Sequence, residues 1–323
     1  MIYLDYHATT PCDPRVVEAM LPYFTEQFAN PSSATHRAGK TAAKAVEQAR
    51  RQVAELIGAE PKEIIFTSGA TESSNLAILG LARHPNNKRR KIVTTAIEHK
   101  AVLSPGKHLE KLGFELVVLP VDAVGRVDQA AAREAIDENT VLVSIQAANN
   151  EIGTIQDIPF FAHLAHEHGA FFHTDAAQAV GKIPVDVVQW DVDLLLISAH
   201  KLYGPKGVGA LFVRGGPYAL LLEPLVYGGG QESDVRPGTM NVPGIVGFAA
   251  ACEGALDRME QDAEREEVGL RADRQPFGLL GRHVGDGADQ QARLRDSVRS
   301  DRLRARALRL GELGESEVED LDA

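Results

Sequence analysis

The run Val192-Asp193-Leu194-Leu195-Leu196-Ile197-Ser198-Ala199-His200-Lys201 is apolar for most of its length and then stops on serine, histidine and lysine. A segment so short and so uniformly apolar reads as a strand buried on both faces, over residues 192–198, the pattern of a parallel sheet covered by helices. A lysine just beyond such a strand is held in a cleft. Desolvation and neighbouring cations there lower its pKa, so that it acts as an amine nucleophile toward an aldehyde. The alternative is a solvated loop lysine, a description that suits Lys206, between Pro205 and Gly207, better.

Strand and helix patterns alternate on the N-terminal side of this run. Residues 42–57 carry apolar side chains at helical spacing and end at Gly58, a C-cap glycine. Residues 63–67 read as a strand that breaks at Ser68-Gly69-Ala70, with a helix from Thr71. Strands over 91–95, 114–119, 141–146 and 171–174 then alternate with helices over 101–112, 129–136 and 159–168. Strands separated by helices need crossover connections, so the chain reads as an α/β protein with a mainly parallel sheet sandwiched by helices. Ligands in such sheets gather at the carboxyl ends of the strands.

A length of 323 residues suits a two-domain enzyme subunit. A net charge of -11 argues against general binding to nucleic acid or anionic lipid. The first six residues lack the regions of a signal peptide, no apolar run is long enough to span a bilayer, and two cysteines, Cys12 and Cys252, fit a reducing compartment. The expected location is cytoplasmic. His163, His166 and His168 have a spacing that can ligate zinc, but no cysteine is near and His173 belongs to the next strand, so no metal is expected.

Polar residues collect at four strand ends. The Ser68-Gly69-Ala70-Thr71 turn points N–H groups and hydroxyls at one spot, as a phosphate site does, or it simply caps a helix. Asp175 follows an apolar strand, with Gln178 three residues on. A carboxylate there calls for a cationic partner such as a protonated ring nitrogen, or it caps the following helix. Asn149-Asn150-Glu151-Ile152-Gly153 and Ile97-Glu98-His99-Lys100 either make turns or face a ligand.

These motifs occur together and in order with Leu4-Asp5-Tyr6, Ala8-Thr9-Thr10-Pro11 and Tyr203-Gly204-Pro205-Lys206-Gly207. From Tyr3 to about Glu260 the chain resembles the cysteine desulfurases, class V members of the fold type I enzymes that use pyridoxal 5'-phosphate (PLP). The resemblance implies PLP as cofactor, L-cysteine as substrate and a homodimer. It also implies sulfur transfer to an acceptor or scaffold protein, for iron-sulfur cluster or thio-cofactor assembly, with L-alanine as product. Lys201 would carry the cofactor as a Schiff base and move protons, and Asp175 would pair with the ring nitrogen. His99 would stack on the ring and assist proton transfer, Gln178 would meet the ring hydroxyl, and Asn150 the substrate carboxylate or the cofactor. Thr71, the Ala70 backbone, Ser198 and His200 would hold the phosphate, with Thr239 reaching it from the partner subunit. Ala199 stands where the family usually has glycine.

The family's Ser-Gly-Ser-Ala-Cys-like loop and its later arginine motif do not appear after Glu260. From Arg271 onward there is no Lys, Ile, Asn or Thr, and Phe277 is the one aromatic residue. Such a segment is poorly equipped to build a core. The resulting expectation is a PLP-binding large domain over 1–260 and an atypical remnant of a small second domain over 261–323, left by truncation or a change of reading frame. Cys252 reads as core packing, and nothing near Cys12 lowers its pKa. The alternatives are another class V reaction, transamination or selenocysteine lysis, and a catalytically impaired fragment.

Overall fold

Apolar side chains alternate across one seven-stranded sheet. In the computed structural model its strands are β1 (Ile64–Thr67), β2 (Lys91–Thr95), β3 (Glu115–Leu119), β4 (Thr140–Ser144), β5 (Phe171–Asp175), β6 (Leu194–Ser198) and β7 (Gly209–Val213). They lie in the order β1-β7-β6-β5-β4-β2-β3. The helices are α1 (Pro14–Met20), α2 (Pro22–Thr25), α3 (Arg37–Ile57), α4 (Ala70–Asn75), α5 (Leu81–Arg83), α6 (Lys100–Glu110), α7 (Gln129–Ala135), α8 (Ile158–Glu167) and α9 (Val242–Asp273). The structure describes residues 2–220 and 222–273, so most of the compositionally odd tail, and with it the expectation of truncation or frame change, lies outside the described residues. The chain divides into two units, Met1–Ala263 and Glu264–Ala323, and the sheet belongs to the first.

Phe66, Val93, Val143, Leu195, Ile197 and Phe212 join one core with Val46 of α3, Phe161 of α8 and Phe248 of α9. Their neighbours Ile65, Ile92, Leu142, Leu194 and Leu211 join a second core with Leu76, Leu81 and Val102. Both faces of the sheet are therefore covered, and this is why its strands are continuously apolar rather than alternating with polar residues. Gly58 caps α3 in the left-handed conformation, φ 69°, as its place after the apolar pattern requires. The helix begins at Arg37, earlier than the periodicity indicates. Its first turn is small or polar, and the His36 ring caps it by accepting the Gly39 N–H at 3.1 Å.

The sheet is mainly parallel, with β2, β3, β4, β5 and β6 paired in that sense. β7 is the departure: it runs antiparallel to both β6 and β1. Its opening residues, Gly209 and Ala210, follow a glycine-rich turn and carry no strand signal of their own. The pairing sets Ser198 opposite Gly209 and Gly209 opposite Thr67. The ends of β6 and β1 thus reach the same edge of the sheet as the ends of β5, β4 and β2.

Gly209 fits because it has no side chain. A Cβ there would lie 2.5 Å from the Ile197 carbonyl oxygen and 2.7 Å from the Gly69 Cα, and backbone atoms cannot give way. At the opposite edge, His166 of α8 is held between two carboxylates, with Nδ1 3.0 Å from Asp191 Oδ2 and Nε2 2.8 Å from Asp193 Oδ2. Asp193 Oδ2 also accepts the Phe172 N–H at 2.8 Å, so this clasp ties α8 to the start of β5 and to the residue just before β6.

Two expectations follow from these contacts. Gly209→Ala should lower stability by about 1–3 kcal/mol in denaturant titrations, the cost of overpacking against rigid backbone. The hydrogen bond that His166 donates to Asp193, with the charge of that carboxylate, raises the His166 pKa above 6.5. The stabilisation is then fully present below 6.5 and disappears as pH rises through the raised value. Thermal melts of His166→Gln should show the larger deficit under mildly acidic conditions and a shrinking one in alkali.

Candidate active site

Adjacent parallel strands deliver the first two groups. Asp175 is the last residue of β5 and pairs with Leu196 of β6, and Lys201 ends the single 3-10 turn, Ala199–Lys201, that follows β6. The Asp175 carboxylate is 8% exposed, and its one described hydrogen bond is from the Ala177 N–H to Oδ1, at 2.9 Å. Burial pushes its pKa up, opposed by that N–H and by the charges of His99 and Lys201. Among the described residues nothing donates to Oδ2, so the carboxylate has an acceptor to offer.

Burial lowers the pKa of the Lys201 amine, as its position after a buried strand predicts. The charges of Asp175 and Asp5 oppose burial, and the cation near this amine is Lys182, whose own pKa the Lys201 charge lowers. The amine donates to the carbonyl oxygens of His7 and of Ala8, the latter at 2.9 Å. The N-terminal segment is strapped over this lysine. Thr10 donates from both N and Oγ1 to the His200 carbonyl at 3.0 and 2.9 Å, Thr9 Oγ1 is 3.0 Å from His200 Nδ1, and Thr10 Oγ1 accepts the Tyr203 N–H at 2.9 Å.

Gln178 joins the same strap, its Nε2 donating to the His7 carbonyl at 2.9 Å while its Oε1 accepts from Lys182 Nζ. Burial and the charge of Lys201 bring Lys182 down to about 8. Beyond Lys201 the chain doubles back sharply, with Tyr203 at φ 65°. Ala199 is accommodated because Gly204 faces it, where a Cβ would come within 3.0 Å of the Ala199 Cβ.

The third part is the Gly69 turn. Gly69 adopts φ 141°, accessible to glycine, and a Cβ built on it would face the Ser198 hydroxyl at 3.7 Å. Ser198, the Gly69 turn and the first residues of α4, Ala70 and Thr71, therefore converge. Glu72 fixes the turn by accepting the Ser68 N–H at 2.7 Å and Arg236 Nε at 2.7 Å. That ion pair anchors the stretch that carries Thr239, whose side chain is exposed.

His99, exposed at the N-cap of α6, accepts the Ala101 N–H through Nδ1 at 3.1 Å. With Thr71, Asn75 and Ser104 it lines a cleft of about 370 Å³. A larger cavity of about 710 Å³, between Arg50, Glu232 and Tyr218, contains none of these groups. Asn149 is structural: its Nδ2 donates to the Ile97 carbonyl at 3.1 Å, and its Oδ1 accepts the N–H groups of Glu151 and Ile152. Asn150, half-buried, makes no described side-chain hydrogen bond.

The histidines of the possible zinc set go separate ways. His163 pairs with Glu167 at 3.3 Å, His168 with Glu138 at 3.6 Å, and His173 is fully buried against Ser144 at 2.8 Å. His166 is not on a solvated face, because the Asp191 and Asp193 clasp takes both of its ring nitrogens. Burial and the Asp13 charge push the Cys12 thiol pKa up, and burial raises that of Cys252 further. Sequence reasoning missed Lys182, Glu72 and the strap. The spacing Asp175-Gln178-Lys182 is at least compatible with one face of a turn, but contacts to His7 and Ala8 span more than 190 residues and leave no local trace.

Comparisons with known proteins bear on the family and the fold. The chain is 52% identical over 263 residues to "Cysteine desulfurase IscS" of Rickettsia felis, a match covering 81% of this chain and 64% of the relative's length. It superimposes on the solved structure of a NifS-like protein with TM-score 0.78 and 43% identity, covering 84% of this chain and 74% of that one. With the structure described as "SspA in complex with cysteine" the TM-score is 0.75 and the identity 45%, over 78% of this chain and 72% of the other. The family description "Aminotransferase class-V" matches residues 2–272. The chain belongs to the class-V aminotransferase family.

Proposed function

We propose that this chain is a PLP-dependent, cysteine desulfurase-like enzyme that converts L-cysteine to L-alanine and passes the sulfur to an acceptor. The observation that carries the reading is the pairing, on adjacent strand ends, of a partly desolvated amine, Lys201, with a buried carboxylate, Asp175, whose Oδ2 has no donor. The donor set fits the cofactor. An amine suits its aldehyde, a buried carboxylate suits a protonated ring nitrogen, and the Gly69 turn facing the Ser198 hydroxyl suits a phosphate.

In this reading Ala70 N, Thr71, Ser198 and His200 hold the phosphate, and Thr239 reaches it from the partner of a homodimer. Asp175 pairs with the ring nitrogen, Gln178 with the ring hydroxyl, and His99 stacks on the ring. When bound, the cofactor supplies an electron-withdrawing ring that stabilises negative charge at the amino acid's Cα. Lys201 Nζ, eased toward its neutral form by burial, takes the Cα proton. His99 assists proton transfer near the sulfur, and Asn150 meets the substrate carboxylate. The Lys182 amine fixes which end of the Gln178 amide faces the site, because Oε1 is already occupied as its acceptor.

Neither cysteine in this sequence is primed as the acceptor thiol, since burial raises the pKa of both Cys12 and Cys252 and the thiolate is the nucleophile. An acceptor or scaffold protein for iron-sulfur cluster or thio-cofactor assembly fills that role. The same observation favours a second reading, selenocysteine lysis or transamination, which needs Lys201 and Asp175 but no thiol. Removing the Lys201 side chain tests the site.

Full-length protein supplied with PLP is expected to be yellow, to change its absorption on addition of L-cysteine, and to release alanine when a thiol acceptor is present. Lys201→Ala should lose the lysine-bound absorption band and alanine release by at least about a hundredfold. An unchanged band in that variant would refute the assignment. Faster turnover of L-selenocysteine, with L-cysteine inert even beside a thiol, would select the second reading.

A further inference from the structure

Glu98 follows β2 in the turn before α6, and it is 6% exposed. Its Oε1 accepts two hydrogen bonds, from Thr95 Oγ1 at 3.0 Å and from the Gln146 N–H at 2.7 Å. Its Oε2 is buried with no partner. No lysine, arginine or histidine pairs with it among the described residues, and the charged group that acts on it is Asp175. Asp175 in turn feels His99 and Lys201. Two buried carboxyl groups thus stand near one another at strand ends on either side of β4, and only one has cationic neighbours.

We propose that Glu98 is a positioning residue held as a neutral carboxylic acid, fixing the turn that presents His99 and leaving Asp175 as the carboxylate that bears the negative charge at the strand ends. A buried carboxylate without a cation costs several kcal/mol, whereas the neutral acid avoids that cost and removes repulsion from Asp175. With Oε1 already accepting two donors, the proton belongs on Oε2. Burial and the Asp175 charge agree, pushing the Glu98 pKa up to about 8.

The turn itself is built around this acid. The Ile97 carbonyl accepts from Gln146 Nε2 at 2.6 Å and from Asn149 Nδ2 at 3.1 Å, so residues 95, 97 and 98 are all tied to one another or to the continuation of β4. His99 Nδ1 is committed to the Ala101 N–H, which places the proton of the neutral ring on Nε2. The placement of His99 at the start of α6 then depends on Glu98 staying in place. This inference rests on the PLP reading for its consequence in catalysis, but the protonation state of Glu98 can be tested without the cofactor.

Infrared difference spectra of the full-length protein, without PLP, against Glu98→Gln should show a carboxylic-acid C=O band in the wild type at about pH 6 that is missing from the variant. The band should fade as pH rises through about 8. A wild type showing carboxylate alone at about pH 6 would overturn the proposal whether or not PLP binds. Because the folded pKa lies above the ordinary 4.5, wild-type stability falls as pH rises from 4.5 toward about 8, so the melting temperature of Glu98→Gln should gain on the wild type across that window.

PLP titrations separate positioning from charge. Glu98→Gln, which keeps an acceptor for Thr95 and Gln146, should bind within about twofold of wild type, and Glu98→Ala about tenfold more weakly. Equal losses in the two variants would count against the positioning role. A wild type that binds no PLP would defeat the proposed function, while the infrared result would still decide the state of Glu98.

Discussion

Hydrogen-bonded register places Ser198 opposite Gly209 and Gly209 opposite Thr67, and it ends β5 on Asp175 beside Leu196 of β6. A shift of one residue in any of these pairs would turn the polar ends into the apolar cores and bring core residues to the edge. The site is therefore a property of the sheet's alignment more than of any loop. The absence of a side chain at Gly209 belongs to the same constraint, because that strand can sit between its neighbours only while its backbone lies directly against Ile197 and Gly69.

Much of this was legible in the sequence, and for a definite reason. Asp175, Lys201 and the Gly69 turn each follow a short apolar strand, so each announces its own address at a strand end. Antiparallel β7 was not legible, since its first residues are glycine and alanine and its partners are more than 130 residues away at β1. The polarity of Glu98 was visible, but its burial was not. Burial of a polar group is set by what folds over it, and those elements come from β4, β5 and the N-terminal segment. The environment around Lys201 was legible only in part for the same reason: Lys182 stands near it as a cation, and the carboxylates Asp175 and Asp5 act on it as well.

Buried ionisable groups in this protein divide into two kinds. His166 and Asp193, or Arg50 and Glu232, satisfy one another at 2.8 and 2.7 Å and serve to join elements. Asp175 and Glu98 sit at the carboxyl edge with acceptor atoms left over. Unused hydrogen-bonding capacity in the interior is costly, and structures keep it where a ligand or a proton is to be handled. Ion pairs thus join elements at both edges of the sheet, and among the described residues the carboxyl edge alone adds buried carboxyl groups with unused acceptors.

The strap that runs from His7 to Thr10 has a consequence for the order in which the protein is made. A ribosome releases these residues well before their partners Gln178, His200, Lys201 and Tyr203, which emerge some 170 to 195 residues later. At elongation rates of about 5–20 residues per second, the N-terminal segment waits for many seconds with nothing to bind. During that interval β1 to β5 emerge without it. The segment can dock only after β6 is in place, so these contacts to the amine of Lys201 form no earlier than that.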